Sequence, residues 1–201
     1  MTIMHLVRHG RSLWNAAGRI QGQIDIELDE SGLQQAQRIA DRLEREPIAA
    51  IYASPLLRAK ATAEAIAERF NLPVKPDARL MEYGFGVISG MTWAEVKENH
   101  PDLANRWLED PGVVPVTGSE GHANFAARVM SAMQDICTQH PTEHVAIVAH
   151  GGTFGVYLMA MLGLDLNRRQ PFHFGNTSWS VVEVRDDVFH IHSLNNTCHL
   201  S

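Results

Sequence analysis

Residues Leu6-Val7-Arg8-His9-Gly10-Arg11-Ser12-Leu13-Trp14-Asn15 decide how this chain is read. They set Arg-His-Gly directly after residues 3–7, a short apolar run bounded by turn-like residues that predicts a buried strand. The arrangement returns twice. Residues 49–53 form a second such run and lead into Ser54-Pro55-Leu56-Leu57-Arg58, and residues 145–148 form a third and lead into Ala149-His150-Gly151-Gly152. A helical pattern follows each run. After the first, Asp29-Glu30-Ser31-Gly32 precedes LQQAQRIADRLERE, in which Leu33, Ala36, Ile39, Ala40 and Leu43 share one face. After the second comes LLRAKATAEAIAERF, with Ser54 a natural N-cap and Pro55 suited to the first helical position. After the third, a helix is expected from about Thr153. Strand then helix, three times over, predicts an α/β fold: a three-layer α/β/α sandwich on a mostly parallel central sheet.

The middle of the chain breaks this rhythm. Residues 91–110 predict two short helices separated at Pro101, residues 111–121 a loop, and residues 122–140 a further helix. Residues 177–184 and 188–193 are β-rich, with Arg185-Asp186-Asp187 as the turn of a hairpin. There is no internal repeat and no linker. The expectation is one domain over 1–201 with a small helical cap insertion at about 84–121.

Composition narrows the function. A chain of 201 residues that is 45% hydrophobic buries roughly 70% of its unfolded surface, and so needs no disulfide or metal to fold. With 20% charged and 7% aromatic residues and no low-complexity tract, it is not mainly disordered. Seventeen Lys and Arg against 23 Asp and Glu give a formal charge of -6, which argues against a general nucleic-acid binder. An anionic substrate must then be drawn by a local positive pocket against the net field. Two cysteines, Cys137 and Cys198, make no disulfide framework and fit a reducing compartment. No apolar core of signal-peptide length precedes Arg8 and Arg11, so a cytoplasmic location is expected. Residues 145–164 carry no Asp, Glu, Lys or Arg and are long enough to span a bilayer. His150-Gly151-Gly152 interrupts them, so strand, turn and helix fit better, and no membrane association is expected.

In open α/β sheets ligands bind beyond the carboxyl ends of the strands, which is where His9 falls. Gly10 lets the backbone turn and approach a ligand. His150 has the same context, so two imidazoles can meet at one rim. Arg58 adds a guanidinium near a helix start, and such a helix N-terminus is an anion site. Each feature alone has a bland reading: a chance tripeptide, or a satisfied core histidine. Together Arg8, His9, Arg58 and His150, in a chain of net charge -6, point to a phosphate pocket. Glu82, within Met81-Glu82-Tyr83-Gly84-Phe85-Gly86, is either a surface carboxylate beside a turn or a proton donor partly desolvated by Tyr83 and Phe85. The residues alone leave that choice open.

The chain resembles the histidine phosphatase superfamily, in the branch of cofactor-dependent phosphoglycerate mutases and their smaller phosphatase relatives. The carriers are Arg8-His9-Gly10 with Asn15, Ile20-Gln21-Gly22, and the run from Tyr52 through Ser54-Pro55 to Arg58-Ala59. Glu82 with Phe85-Gly86, Ala149-His150-Gly151-Gly152, Asn176-Thr177-Ser178 and Asn196-Thr197-Cys198-His199-Leu200 complete them. The resemblance covers almost the whole chain. It implies His9 as nucleophile forming a phosphohistidine. It implies Arg8, Arg58 and His150 around the transferring phosphoryl group, with further hydrogen bonds from Asn15 and the Gly151 N–H. It also implies Glu82 as the acid that protonates the leaving oxygen and then activates water, with Gln21 touching the substrate. Ser12 stands where Thr is commoner, and Gly118-Ser119-Glu120-Gly121 matches the family's Gly-Glu-Ser segment only loosely, which leaves substrate choice open.

The stretch from Glu82 to His150 is short, as in the phosphatase relatives, whereas the mutases carry a longer insertion there. The resemblance therefore implies a metal-independent phosphatase acting on a small-molecule phosphomonoester, with no cofactor and no metal. The alternatives are a bisphosphoglycerate-dependent phosphoglycerate mutase and a non-catalytic phospholigand-binding member. His190, His192, Cys198 and His199 could be imagined as a zinc site, but their spacing matches no structural pattern and they read as surface and strand-edge residues. Trp93, Trp107 and Phe125 either line a pocket or pack the insertion. Met159 and Met161 read as core. The edge of the C-terminal hairpin would allow a homodimer without requiring one.

Overall fold

The computed structural model describes residues 1–109, 114–185 and 188–201. The parallel part of the sheet is made by β1 (Thr2–Arg8), β2 (Ile48–Ala53), β3 (Val74–Pro76) and β4 (His144–Ala149). Strands β5 (Trp179–Arg185) and β6 (Val188–Asn196) close one side. The spatial order is β3-β2-β4-β1-β5-β6. The first four strands run parallel, while β5 and β6 are antiparallel to their neighbours. Among the described strands and α-helices, two escape sequence reading: β3, only three residues long, and the one-turn helix α1 (Leu13–Ala16).

Helices α2 (Glu30–Leu43) and α3 (Leu57–Phe70) cover one face. Helices α6 (His122–Gln139) and α7 (Gly151–Met161) cover the other. The central strands serve both faces by alternation: Val145, Ile147 and Ala149 face the α6–α7 core, whereas Ala146 and Val148 face α2 and α3. That double burial is why these strands read as continuous apolar runs rather than as alternating ones. Ile39 and Leu43 of α2 are fully buried; truncating either to Ala costs about 2–5 kcal/mol.

Local chemistry explains the starts. Asp29 caps α2 by accepting the Gly32 N–H at 2.7 Å. Leu33 does not join the buried face; it is 53% exposed, and Gly32 is buried instead. Ser54 does not cap α3. That helix begins at Leu57, and Asp25 of a distant loop accepts the Leu57 N–H at 2.6 Å. Ser54 is released for another partner.

Between β3 and α6 lie α4 (Trp93–Asn99) and α5 (Pro101–Glu109), parted at Pro101 as expected. Their buried side chains, with Ile88 and Val116, form a separate small cluster around Val96 and Ala104. Trp93 and Trp107 pack on it with ring centroids 5.8 Å apart. Asp110 at the end of the expected helical stretch, residues 111–113 of the expected loop, and Asp186 and Asp187 of the expected hairpin turn lie outside the described residues. Among the described residues no helix is long and apolar enough to cross a membrane.

Candidate active site

Parallel register brings three chain segments to one rim. Val7 pairs with Val148 and Arg8 with Ala149, while Ala53 also pairs with Val148. Beyond the last pairs the strands stay tied: the His9 N–H donates to the Ala149 carbonyl and the Ser54 N–H to the Val148 carbonyl, both at 3.0 Å. His9, Ser54 and His150 therefore leave the sheet side by side.

The His9 ring is 3% exposed. Its Nδ1 lies 2.7 Å from the Gly10 carbonyl, so Nδ1 carries the proton and Nε2 keeps its lone pair. The His150 ring stands 5.1 Å away, centroid to centroid, tilted by 60°. His150 Nε2 meets Ser54 Oγ at 2.8 Å. Burial, then the neighbouring Arg8 and Arg58, hold the His9 pKa well below its ordinary 6.5. Burial, then His9 and the arginines, do the same to His150. Both imidazoles are neutral at neutral pH, which leaves Nε2 of His9 able to act as a nucleophile.

Two guanidinium groups are sunk beside them. Arg58 is 1% exposed, and the loop after α1 encircles it: its terminal nitrogens donate to the carbonyls of Ile24 at 2.9 Å and Gly22 at 2.7 Å. Burial lowers its pKa to about 10, partly offset by Glu82 and Asp25, so it stays charged. Arg8 donates to the Phe174 carbonyl. Of the buried side-chain atoms without a partner among the described residues, three belong to this cluster: Arg8 Nε, Arg58 Nε and His150 Nδ1. Buried polar atoms are rarely left so, and several acceptor oxygens on one anion would satisfy them.

Glu82 adjoins the cluster, its charge acting on both Arg8 and Arg58. Its Oε1 accepts the Tyr83 N–H at 2.8 Å and its Oε2 the Gly152 N–H at 3.1 Å. A Cβ on Gly152 would stand 2.2 Å from Glu82 Oε1, so its absence is what lets the carboxylate lie this close to the backbone. Gly151 opens α7 without an intrahelical acceptor for its N–H. Gly10 has a different role from the one expected. A Cβ on it would meet the Gly32 carbonyl at 2.6 Å, so its smallness serves packing against α2 rather than approach to a ligand.

Asn15 and Gln21 are joined through Ser12. Asn15 Oδ1 accepts from Ser12 and from Asn176 Nδ2, and Asn176 Nδ2 also reaches the His9 carbonyl at 3.1 Å. Gln21 Oε1 accepts the Ser12 hydroxyl at 2.7 Å. Asn176 thus links Asn15 to the His9 segment, and Gln21 is tied to Ser12.

Sequence reading missed the supports. Thr62 Oγ1 accepts the Gly10 N–H at 3.0 Å and donates to the Arg58 carbonyl at 2.8 Å, tying the two arginine-bearing segments together. Arg128 forms a bidentate pair with Glu120 at 2.7 and 2.8 Å and donates to the carbonyls of Arg79, Met81 and Glu82. Glu120 in turn accepts the Gly84 N–H at 2.8 Å. The pair clamps the backbone that carries Glu82. A signal for it existed, because Arg128 lies between Phe125 and Ala132 on the otherwise apolar stripe of α6.

His192 bonds Glu183 at 2.9 Å, and His199 lies 3.2 Å from Thr177 Oγ1, so these histidines do not converge. A different trio, His5, Glu46 and His144, gathers near the start of β4. There Trp179 Nε1 donates to His5 Nδ1 at 3.1 Å, which obliges His5 Nε2 to carry a proton and donate it to His144 Nδ1 at 3.0 Å. His5 Nε2 then has no lone pair to offer, and the lone pair of His144 Nδ1 is engaged in that hydrogen bond.

A neutral, buried imidazole ringed by guanidinium groups and a positioned carboxylate defines a class: enzymes of phosphoryl transfer that use a histidine and need no metal ion. The family model for the histidine phosphatase superfamily (branch 1) matches residues 4–197. The chain is 38% identical over 200 residues to phosphoserine phosphatase 1 of Hydrogenobacter thermophilus, covering 100% of this chain and 95% of that one. It is also 38% identical over 208 residues to the metal-independent phosphoserine phosphatase of Arabidopsis thaliana, covering 100% of this chain and 84% of that one. Among solved structures, Bacillus stearothermophilus YhfR matches over 100% of both chains with a TM-score of 0.93 at 31% identity. The chain belongs to branch 1 of the histidine phosphatase superfamily. It is a metal-independent phosphatase, a hydrolase of phosphate monoesters.

Proposed function

We propose that His9 performs this hydrolysis as the nucleophile. Its Nε2 attacks phosphorus, an N–P bond forms, and the ester P–O bond breaks. Glu82 gives its proton to the departing oxygen. A water then attacks the phosphohistidine, Glu82 takes a proton from it, the N–P bond breaks, and phosphate leaves. Arg8, Arg58, His150, Asn15 and the Gly151 N–H hold the equatorial oxygens, the electrostatic work that a metal ion does elsewhere. Gln21 touches the substrate. The observation that carries this reading is the trio of orphaned nitrogens, Arg8 Nε, Arg58 Nε and His150 Nδ1, around an unprotonated His9 Nε2.

The segment at about 84–121 is assigned as a cap on one domain spanning 1–201. Its shortness favours water over a sugar acid as phosphoryl acceptor, hence phosphatase over mutase. Two unpaired cysteines, Cys137 and Cys198, support a cytoplasmic location. The exposed edge of β6 is offered as a homodimer contact, which sedimentation can test.

The test is phosphate release from a panel of phosphomonoesters, with 3-phosphoglycerate followed in parallel for isomerisation with and without bisphosphoglycerate. Release is expected to survive excess EDTA and to vanish in His9→Ala with the fold retained. Wild-type turnover in that variant would sink the mechanism. Isomerisation that outpaces release and depends on the bisphosphate would make the enzyme a mutase.

A further inference from the structure

Glu82 and Gly152 are among the residues lining a cavity of about 320 Å³. Its walls are Tyr83, Phe85, Trp107, Phe125, Val156 and Met159, with His122, Arg169 and Gln170 as the polar groups. Tyr83 stands edge-on to both Phe85 and Phe125, at 5.1 and 5.4 Å, which makes a continuous aromatic wall. If Glu82 protonates the leaving oxygen, the rest of the leaving group extends from that oxygen into this cavity.

We propose that the enzyme prefers esters whose alcohol is bulky and apolar, aromatic or long alkyl, over esters of alcohols bearing an ammonium group. This deepens the reading of Glu82 and His9 given above and rests on it. Two observations carry it. The first is the aromatic wall, whose area is removed from water when an apolar group fills the cavity. The second concerns charge. Among the described lining residues Glu82 is the one carboxylate, and it is engaged with two backbone N–H groups and reserved for the leaving oxygen. The nearby Glu120 is spent on Arg128 and Gly84. Burial keeps the His122 imidazole pKa below its ordinary value, so the wall there is neutral. An ammonium group entering this cavity loses its hydration and meets no further carboxylate among the described lining residues. Thus, although phosphoserine phosphatases are among its relatives, phosphoserine is disfavoured here.

The experiment compares kcat/KM for ethyl phosphate, hexyl phosphate, 3-phenylpropyl phosphate and O-phosphoserine. All four are esters of primary alcohols, so leaving-group reactivity varies little and the comparison reports the cavity. 3-Phenylpropyl phosphate is expected to exceed ethyl phosphate and phosphoserine by about 10²-fold, within the range one hydrophobic pocket supplies. Trp107→Ala should lower that preference about tenfold, read as the ratio of kcat/KM for the phenylpropyl and ethyl esters. Because Trp107 also packs against Trp93, Val156→Phe serves as a second variant that fills the cavity from α7. It should suppress the phenylpropyl ester selectively. Phosphoserine hydrolysed as well as or better than the phenylpropyl ester overturns the inference and leaves the phosphatase reading intact. A phenylpropyl preference that neither variant reduces also overturns it. Failure to hydrolyse any of the four esters overturns the catalytic reading itself.

Discussion

Around His9 and His150 the chain is held by the sheet's own hydrogen bonds. His9 is tied to Ala149, Ser54 to Val148 and Thr177 to His9, and the side chains they carry are buried to a few per cent exposure. Between Glu82 and α6 the polypeptide is held differently. It has a four-residue buried cluster of its own. It is fastened at its edges by two ion pairs: Arg19 with Glu95 at 2.9 Å, and Arg128 with Glu120 at 2.7 Å. The rim is rigid because moving it would break strand pairing. The segment above it can change its lining without disturbing the sheet. One fold can thus keep its reaction while its choice of ester varies, since function is grafted onto sites rather than dictated by architecture.

That contrast can be broken by experiment. Its strongest claim is that the rim tolerates no loss of charge. Arg58→Met should lower kcat/KM by about 10³-fold or more, as removing a preorganised donor to a transferring group does, and steady-state phosphate release measures it. A loss below tenfold would remove Arg58 from the phosphoryl site. Next in size is Gly152→Ala. The added Cβ falls 2.2 Å from Glu82 Oε1, and a side chain can yield where backbone cannot. Displacing Glu82 by about 1 Å should cost about 10²-fold in kcat, while Tm moves little. A large Tm drop with normal kcat would show that the contact serves stability instead.

A smaller effect tests the boundary between the two regions. Arg128→Met removes the clamp on the Glu82 backbone without touching the rim. It should lower kcat about tenfold and alter the pH profile of kcat, with Arg128→Lys restoring part of both. A variant that loses stability alone, with an unchanged pH profile, would mark the pair as purely structural. The last prediction concerns stability rather than turnover at neutral pH. His5, His9 and His150 are all held below 6.5 when folded, His5 at about 4. The unfolded chain therefore binds more protons below pH 6.5, and stability falls as pH drops from 6.5 toward 4. For His5, which is 1% exposed, the depression corresponds to about 3 kcal/mol. His5→Gln should flatten the acid limb of a denaturant-unfolding series by about that amount. An unchanged slope would show that His5 keeps its ordinary pKa.

Sequence by itself determined the strand-then-helix order, the buried runs and the roster of rim residues. It could do so because parallel strands covered on both faces must be apolar throughout, and because His-Gly and Arg placed just beyond such runs stand out from their surroundings. Hydrophobic pattern does not specify which strand neighbours which. Only the tertiary structure placed β4 between β2 and β1, and that insertion is what brings His150 beside His9. Likewise Ser54 has the chemistry of a helix cap, and only the fold assigns it to His150 while Asp25 takes over the cap. Thr62, Asn176, Arg128 and the cavity beside Glu82 were decided the same way. Their roles are hydrogen bonds and contacts between residues far apart in the chain, which no local periodicity encodes.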